Sequence, residues 1–401
     1  VGQPKLSAKI ASHGGTEYLN SLKPWSGDGD FSPENTKKTL RLLDNPQDSY
    51  PTIHIGGTNG KGSTSVFCAS IIGASGLKVG LTISPHFISP TERIIVDGEP
   101  ISEATLNELM QRIKALNIEL TYHEALTVAA FLHFRDESVD YAVIEVGLGG
   151  RLDSTNVIKS PKAIAITSIG LDHEAVLGGS EEEIAKEKAG IVKEGVPVFL
   201  GDVKDSLVTI FGSNAIKVSS KDFSCFEVKL KGAYQGINMA VAEKLTTHLG
   251  FTSIKEGLEN AFLPGRFERI GGRYILDSAH NPQAFHRLKD SLSACNYRPN
   301  VVIFGALKTK NYKELCKTLK TLTKKVYLVE PESEMAVPCK ELEKELSGIE
   351  VKSYYKNYRE SIEDGEGNVL ICGSMYFLGI FREILGAGNK PLWKKIIKSI
   401  T

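Results

Sequence analysis

The sequence predicts an α/β protein of two domains built on largely parallel sheets. Three observations lead there. Short β-branched runs alternate with longer helical patterns along almost the whole chain, the arrangement of parallel α/β folds. At 401 residues the chain exceeds what one core usually holds. The Pro-Gly pair in Leu263-Pro264-Gly265-Arg266 interrupts a helical segment, and a new strand–helix series starts after it. Domains of residues 1–263 and 264–401 are the result. In order, the strand candidates are Thr52–Ile55, Lys78–Ser84, Tyr141–Val146, Ala163–Ser168 and Pro197–Leu200, then Arg273–Asp277, Val301–Phe304, Lys325–Val329 and Val369–Cys372. Between them lie helical patterns such as Ser63–Ala74, Glu103–Leu116, Glu124–Phe134, Glu181–Val192 and Pro282–Cys295. Open parallel sheets bind ligands at the carboxyl ends of their strands, so a cleft between two such domains would suit a two-substrate reaction.

Composition narrows the classes. The 48 basic and 48 acidic residues balance, against the basic surplus of a nucleic-acid binder. Cys68, Cys225, Cys295, Cys316, Cys339 and Cys372 are scattered without C-x-x-C or metal-ligand spacing, which reads as free thiols in a reducing compartment. Residues 1–30 hold no apolar h-region or twin arginine, and no apolar run approaches the roughly 18 residues of a membrane span. A cytoplasmic protein with no membrane or nucleic-acid partner is the expectation. No heptad seam is visible, so a monomer is expected.

The strongest local signal is Ile53-His54-Ile55-Gly56-Gly57-Thr58-Asn59-Gly60-Lys61-Gly62-Ser63-Thr64: a strand, a glycine-rich turn, then an amphipathic helix. Glycines let backbone N–H groups surround phosphate oxygens, and a helix amino terminus favours the anion. Lys61 would neutralise the outer phosphates, with a following hydroxyl on magnesium. The G-x-x-x-x-G-K-[ST] spelling fails, because Ile55 takes the first glycine's place and Gly62 separates Lys61 from Ser63.

Together with a series of motifs further along the chain, the Gly57-to-Ser63 spelling resembles the folylpolyglutamate synthase/dihydrofolate synthase family of the Mur ligase superfamily. The ordered matches include Ile83-Ser84-Pro85-His86, Glu92-Arg93-Ile94, the run from Glu145 to Asp153, Asn156, Leu171-Asp172-His173, Glu187-Lys188-Ala189-Gly190-Ile191, Leu263 to Phe267, Asp277 to Pro282, and Cys372-Gly373-Ser374. The resemblance implies a P-loop ATPase-like first domain of the Mur ligase central type and a Rossmann-like second, glutamate ligase domain, with the active site in the cleft between them. It implies a ligase that joins L-glutamate to dihydropteroate or folate through an acyl phosphate, using ATP, two magnesium ions and, in some readings, a monovalent cation. By the same resemblance Ser84, Glu145 and His173, with Ser63, are magnesium ligands, and Lys188 is carried as a carbamate. Gly57, Thr58, Asn59, Gly60, Lys61, Gly62, Ser63, Asn238, Arg266 and Asp277 would contact ATP, with His280 close by.

Each of these residues also has a plainer reading. Glu145 ends an apolar run and needs a partner if buried, which could be Arg151. His173 alone reads as a capping or surface histidine. Lys188 falls on the face marked by Ile184, Ile191 and Val192, where its pKa should drop; a neutral amine can take up CO₂, whereas the plain reading is a snorkelling lysine. Asp277 and His280 could merely cap the helix near Pro282. No Ser-His-Asp or Cys-His arrangement suggests a covalent enzyme intermediate.

For the acceptor, Leu120-Thr121-Tyr122-His123-Glu124 resembles the family's dihydropteroate segment, with Leu152, Asp153 and Ser154 contributing. A hydroxyl and a carboxylate can bind a pterin edge, and an aromatic ring can stack on its face. This chain has His123 where the family usually has Phe, and Tyr234 where a histidine is common. Asp30-Phe31-Ser32 matches a third segment loosely, and the stretch between Gly201 and Gly232 is short enough to reduce a small β-ribbon. Bifunctional and monofunctional folylpolyglutamate synthase readings both stand. A peptidoglycan Mur ligase is opposed by the Gly57-to-Ser63 and Ser84-Pro85-His86 spellings. A P-loop NTPase switch would hydrolyse ATP without glutamate. A dinucleotide oxidoreductase, prompted by Gly147-Leu148-Gly149-Gly150, lacks G-x-G-x-x-G and a following helix.

Overall fold

The computed structural model describes residues 14–23, 32–219, 228–388 and 390–393. Asp30, Phe31, Cys225 and part of the expected shortened ribbon (220–227) lie outside the described residues. The chain divides into two compact units: the larger takes its residues from 8–229, 236–262 and 391–401, the smaller from 230–235 and 263–390.

The larger unit carries β1 (Thr52–Gly56), β2 (Val79–Thr82), β3 (Ile94–Val96), β4 (Glu99–Pro100), β5 (Tyr141–Glu145), β6 (Ala163–Ser168), β7 (Val198–Asp202) and β8 (Ala215–Lys217). They form one sheet in the order β4-β3-β2-β5-β1-β6-β7-β8. β1 is central, parallel to β5 and β6, with His54 opposite Ile144 and Ile55 opposite Glu145. All five of its residues are buried, which is why the strand reads as a near-continuous apolar run. The helix Lys61–Ala74 follows it, buried without interruption from Ser63 to Ala74. The amphipathic helix expected there has no solvent face beyond its first residues, and its hydroxyls at Ser63, Thr64, Ser65 and Ser70 are buried with the rest. It starts two residues before the predicted Ser63, at the lysine of the phosphate loop. One core lies around the helices Glu103–Lys114 and Tyr122–Asp136, another around β6, β7 and the helix Glu181–Ala189.

The strands of this unit not foreseen are short and lie at or near edges. β3 and β4 make an antiparallel hairpin through Asp97 and Gly98, whose φ values of 50° and 87° are those of a two-residue hairpin turn. Leu392 N donates to Gly98 O at 2.9 Å, and Phe262 N donates to Leu392 O at 2.7 Å. Trp393, buried, closes over Gly73, where an added Cβ would fall 2.8 Å from the indole nitrogen.

The smaller unit holds β9 (Glu268–Ile270), β10 (Tyr274–Asp277), β11 (Val301–Phe304), β12 (Lys325–Val329), β13 (Glu350–Tyr355) and β14 (Val369–Cys372). Their order is β13-β12-β11-β14-β10-β9, parallel except for β9. Among the described residues no helix is long and apolar enough to cross a membrane.

Candidate active site

In the larger unit the site grows from the carboxyl ends of β1, β5 and β6. Beyond β1 the loop is tied down by β6: Thr58 N donates to Ser168 O (2.8 Å), Asn59 N to Ser168 Oγ (2.9 Å), and Thr167 Oγ1 to Asn59 O (2.7 Å). Gly57 and Gly60 have φ of +142° and +91°, and a Cβ on either would stand 2.0 Å from Thr167 Oγ1 or 2.3 Å from Asn238 Oδ1. Only glycine allows both that backbone and that closeness. Asn238 thus packs against the loop, as Thr58, Gly62 and Ser63 form its exit into the helix. Gly60 at the head of that helix offers no side-chain cap, and the helix's amino terminus has the direction that suits a phosphate.

Two lysines converge on this loop. Lys61 Nζ donates to Gly57 O and Thr58 O at 3.2 and 3.3 Å. Lys188 Nζ, from the last turn of its helix, donates to the same Gly57 O at 3.0 Å and is 3% exposed. Burial first, then the Lys61 charge, bring the Lys188 amine down to about 7, against the opposing pull of Asp172 and Asp153. The helical face expected for Lys188 is therefore the buried one, and it does not snorkel.

Glu145, at the end of β5, is buried and accepts Ser84 N at 2.9 Å. Arg151, its plain-reading partner, instead pairs with Glu187 at 2.8 Å. His173 sits on a separate loop after β6 with φ of 53°, its N–H on Asp172 Oδ1 at 2.9 Å and Nε2 3.8 Å from that oxygen. Ser84 and Glu145 are thus brought together directly. Among the described residues no group of three or more His, Cys, Asp or Glu forms a metal cluster, and the expected set contains only two such side chains. A buried carboxylate beside a hydroxyl residue and a phosphate loop has the oxygen chemistry that suits Mg²⁺.

The acceptor segment is bound up locally. Thr121 caps the helix Tyr122–Asp136 in a reciprocal box with Glu124, and Glu124 Oε1 also accepts Thr36 Oγ1 at 3.1 Å. Their hydroxyl and carboxylate therefore hold the helix start. Tyr122 lies under the Arg93 guanidinium, 5.5 Å from its ring centre, while Arg93 Nε donates to His86 Nδ1 at 2.9 Å. Burial, then Arg93, push His86 well below its ordinary pKa. Asp153 is fully buried and accepts Leu148 N (2.9 Å), Thr155 N (2.9 Å) and Thr155 Oγ1 (2.5 Å). Burial pushes its carboxyl up, but His123, Thr155 and Leu148 N outweigh that and hold it at about 2. His123 Nε2 is 3.7 Å from Asp153 Oδ2, near enough for their charges to interact but beyond hydrogen-bond distance, and this buried atom has no hydrogen-bond partner. Ser154 Oγ lies 2.9 Å from Thr127 Oγ1, and Leu152 is half-buried beside it.

In the smaller unit Asp277 ends β10. Its Oδ2 accepts Tyr234 OH at 2.6 Å and Phe267 N at 2.9 Å, and its Oδ1 accepts Ala279 N at 2.8 Å. Burial raises the Asp277 carboxyl in spite of these donors. Gly265 and Phe267, with φ of +59° and +50°, bracket Arg266; Gly265 N donates to Glu268 Oε2 at 2.8 Å, and Glu268 pairs with buried Arg382 at 3.0 Å. His280 Nδ1 is 2.8 Å from Ser278 O. Neither Asp277 nor His280 caps the following helix: Asn281 does. Sequence reasoning missed Thr167, Ser168, His54 and Thr155. The signals for them were weak: a hydroxyl pair closing an apolar strand and a histidine inside one.

Comparison with known proteins bears on what this geometry serves. The Mur ligase middle domain matches residues 55–199, and the Mur ligase glutamate ligase domain matches 265–374. The folylpolyglutamate synthase of Lacticaseibacillus casei is 33% identical over 422 residues, covering 93% of this chain and 98% of that one. The dihydrofolate synthase/folylpolyglutamate synthase of Bacillus subtilis (strain 168) is 33% identical over 406 residues, covering 87% and 94%. This chain belongs to the folylpolyglutamate synthase/dihydrofolate synthase family. A solved member, E. coli FolC in complex with DHPP and ADP, superposes with a TM-score of 0.83 at 28% identity, over 92% of this chain and 96% of that one. In this family member the two lysines on Gly57 O and the uncapped helix start meet at one glycine-rich loop.

Proposed function

We propose that this chain is an ATP-dependent amide ligase that adds L-glutamate to the carboxylate of dihydropteroate or a reduced folate. The observation that carries the reading is the phosphate loop with Lys61 and Lys188 on one carbonyl oxygen. The expected domains 1–263 and 264–401 are read as the ATP-binding and glutamate ligase domains, save that 230–235 group with the second and 391–393 return to the first.

Lys61 and the helix N–H groups spread the charge of the γ-phosphoryl group. The acceptor carboxylate attacks the γ-phosphorus and ADP leaves, giving an acyl phosphate. The glutamate amine then attacks the acyl carbon and phosphate departs; phosphorylation replaces oxide, an impossible leaving group, with one that leaves readily. Ser63, Ser84, Glu145 and His173 are the residues that would hold magnesium, which when bound neutralises phosphate charge. Asn238, Arg266, Asp277 and His280 are read as nucleotide contacts. Lys188, with an amine brought to about 7, is suited to add to CO₂ and release a proton, leaving an anionic carbamate. The free thiols among the described cysteines suit a reducing cytoplasm, and a monomer is the oligomeric reading.

A monofunctional folylpolyglutamate synthase is the second reading. It is favoured by the engagement of Thr121 and Glu124 with each other and by His123 facing Asp153. The deciding experiment is phosphate release from purified protein with MgATP and L-glutamate, offering 7,8-dihydropteroate or tetrahydrofolate. Turnover with both marks a bifunctional enzyme. Turnover with tetrahydrofolate alone marks the second reading, and glutamate-independent hydrolysis refutes both.

A further inference from the structure

His54 lies on β1, in the strand that feeds the phosphate loop, and the reaction as described does not use it. It is fully buried. Its Nε2 stands 2.8 Å from Thr155 Oγ1, which in turn stands 2.5 Å from Asp153 Oδ1. A carboxylate only accepts, and a threonine has one hydroxyl hydrogen. Thr155 therefore donates to Asp153 and accepts from His54, so the His54 proton is on Nε2. Nδ1, buried and without a partner, is the bare nitrogen of a neutral ring. Burial keeps it so, pushing the imidazole to about 4 despite the Asp153 charge. A valine would fill this strand position with no orphaned nitrogen, so the histidine's hydrogen bond is its distinguishing contribution.

The other end of this relay reaches the site. Asp153 holds Leu148 N and so braces the loop 147–153 that follows β5. That loop lies on the end of the Lys188 helix: a Cβ on Gly150 would be 2.9 Å from both Glu187 O and Lys188 O, and Arg151 N donates to Glu187 O at 2.8 Å. Lys188 then returns to Gly57 O at 3.0 Å, three residues beyond His54 in the sequence. The contacts close a ring that starts on β1 and ends on the loop directly after it.

We propose that His54 is a positioning residue of the ligase: through Thr155 and Asp153 it fixes the loop against which the Lys188 helix is set. This rests on the ligase reading above. The test compares His54→Leu, Thr155→Val and His54→Gln, whose side-chain amide can donate from nearly the Nε2 position. His54→Leu and Thr155→Val should each lower kcat about tenfold or more with KM for ATP within about twofold, and the double variant should lose no more than either single one. His54→Gln should stay within about threefold of wild type. In ¹⁵N-histidine spectra, wild-type His54 should be the Nε2–H tautomer without titrating between about pH 5.5 and 8.5. Thr155→Val should shift that resonance, and Thr155→Ser, which keeps the hydroxyl, should not. An Nδ1–H tautomer, a kcat retained in His54→Leu, or equal losses in the Leu and Gln variants would overturn the proposal. Should wild type show no glutamate-dependent turnover, the ligase reading falls on its own, and the tautomer and its response to Thr155→Val still decide the anchor.

Discussion

Replacing Lys188 by methionine should stabilise the protein while removing its activity, and the stabilisation should fade as pH rises. A lysine whose amine falls from 10.5 to about 7 on folding must shed or bury a proton that the unfolded chain keeps. Where the unfolded state binds more protons, stability rises with pH. The wild-type penalty is therefore full below pH 7 and relieved as pH climbs towards 10.5. From those two values it is about 5 kcal/mol at pH 6, about 3 at pH 8 and about 1 at pH 10. Methionine escapes the penalty but forfeits the hydrogen bond to Gly57 O, about 1 kcal/mol. A net gain of about 4 kcal/mol at pH 6 should thus shrink to about zero by pH 10. Urea unfolding of both proteins across this range, in CO₂-free buffer and followed in the unfolding of the larger unit, measures it. A difference between the two that does not change with pH would refute a buried, depressed Lys188.

Gly60→Ala should weaken binding of a non-hydrolysable ATP analogue, because the left-handed backbone alone costs about 1–2 kcal/mol and the new Cβ meets Asn238 Oδ1. The same clash should lower the melting temperature, and adding Asn238→Ala should restore only the steric part of that loss, visible by scanning calorimetry as a partial recovery. Glu268→Ala should lower stability by about 3–5 kcal/mol by stranding Arg382 in the core of the smaller unit; replacing both residues by methionine should recover most of it, read by thermal unfolding.

How much of this was legible depended on how far apart the partners stand in sequence. The central strands announced themselves because burial on both faces leaves apolar runs, and the burial of Lys188 followed from its spacing from Ile184 and Ile191. The phosphate loop was readable in spite of its irregular spelling, since strand, glycines and helix are contiguous. Partners from distant segments were not readable. His54 meets Thr155 and Arg151 meets Glu187 only because the fold brings distant segments of the chain side by side. The Asn281 cap could have been seen, as an Asn directly before a Pro-started helix. The Thr121–Glu124 box carries its own cap signature, and that local chemistry competes with the substrate role the resemblance suggested.

The Leu392–Trp393 segment gives the larger unit an unusual order of assembly. Its sheet is complete by Lys217, and its phosphate-loop helix emerges early from the ribosome. The indole that covers Gly73 arrives only after the whole smaller unit has been translated. Folding from the amino terminus would leave that helix with an open flank for some 300 residues of synthesis (roughly 15–60 s at ordinary translation rates). Capture of the nascent chain by chaperones, and harm from truncation just before Trp393, are the natural consequences of stitching the earlier-made unit shut with residues made after the later one.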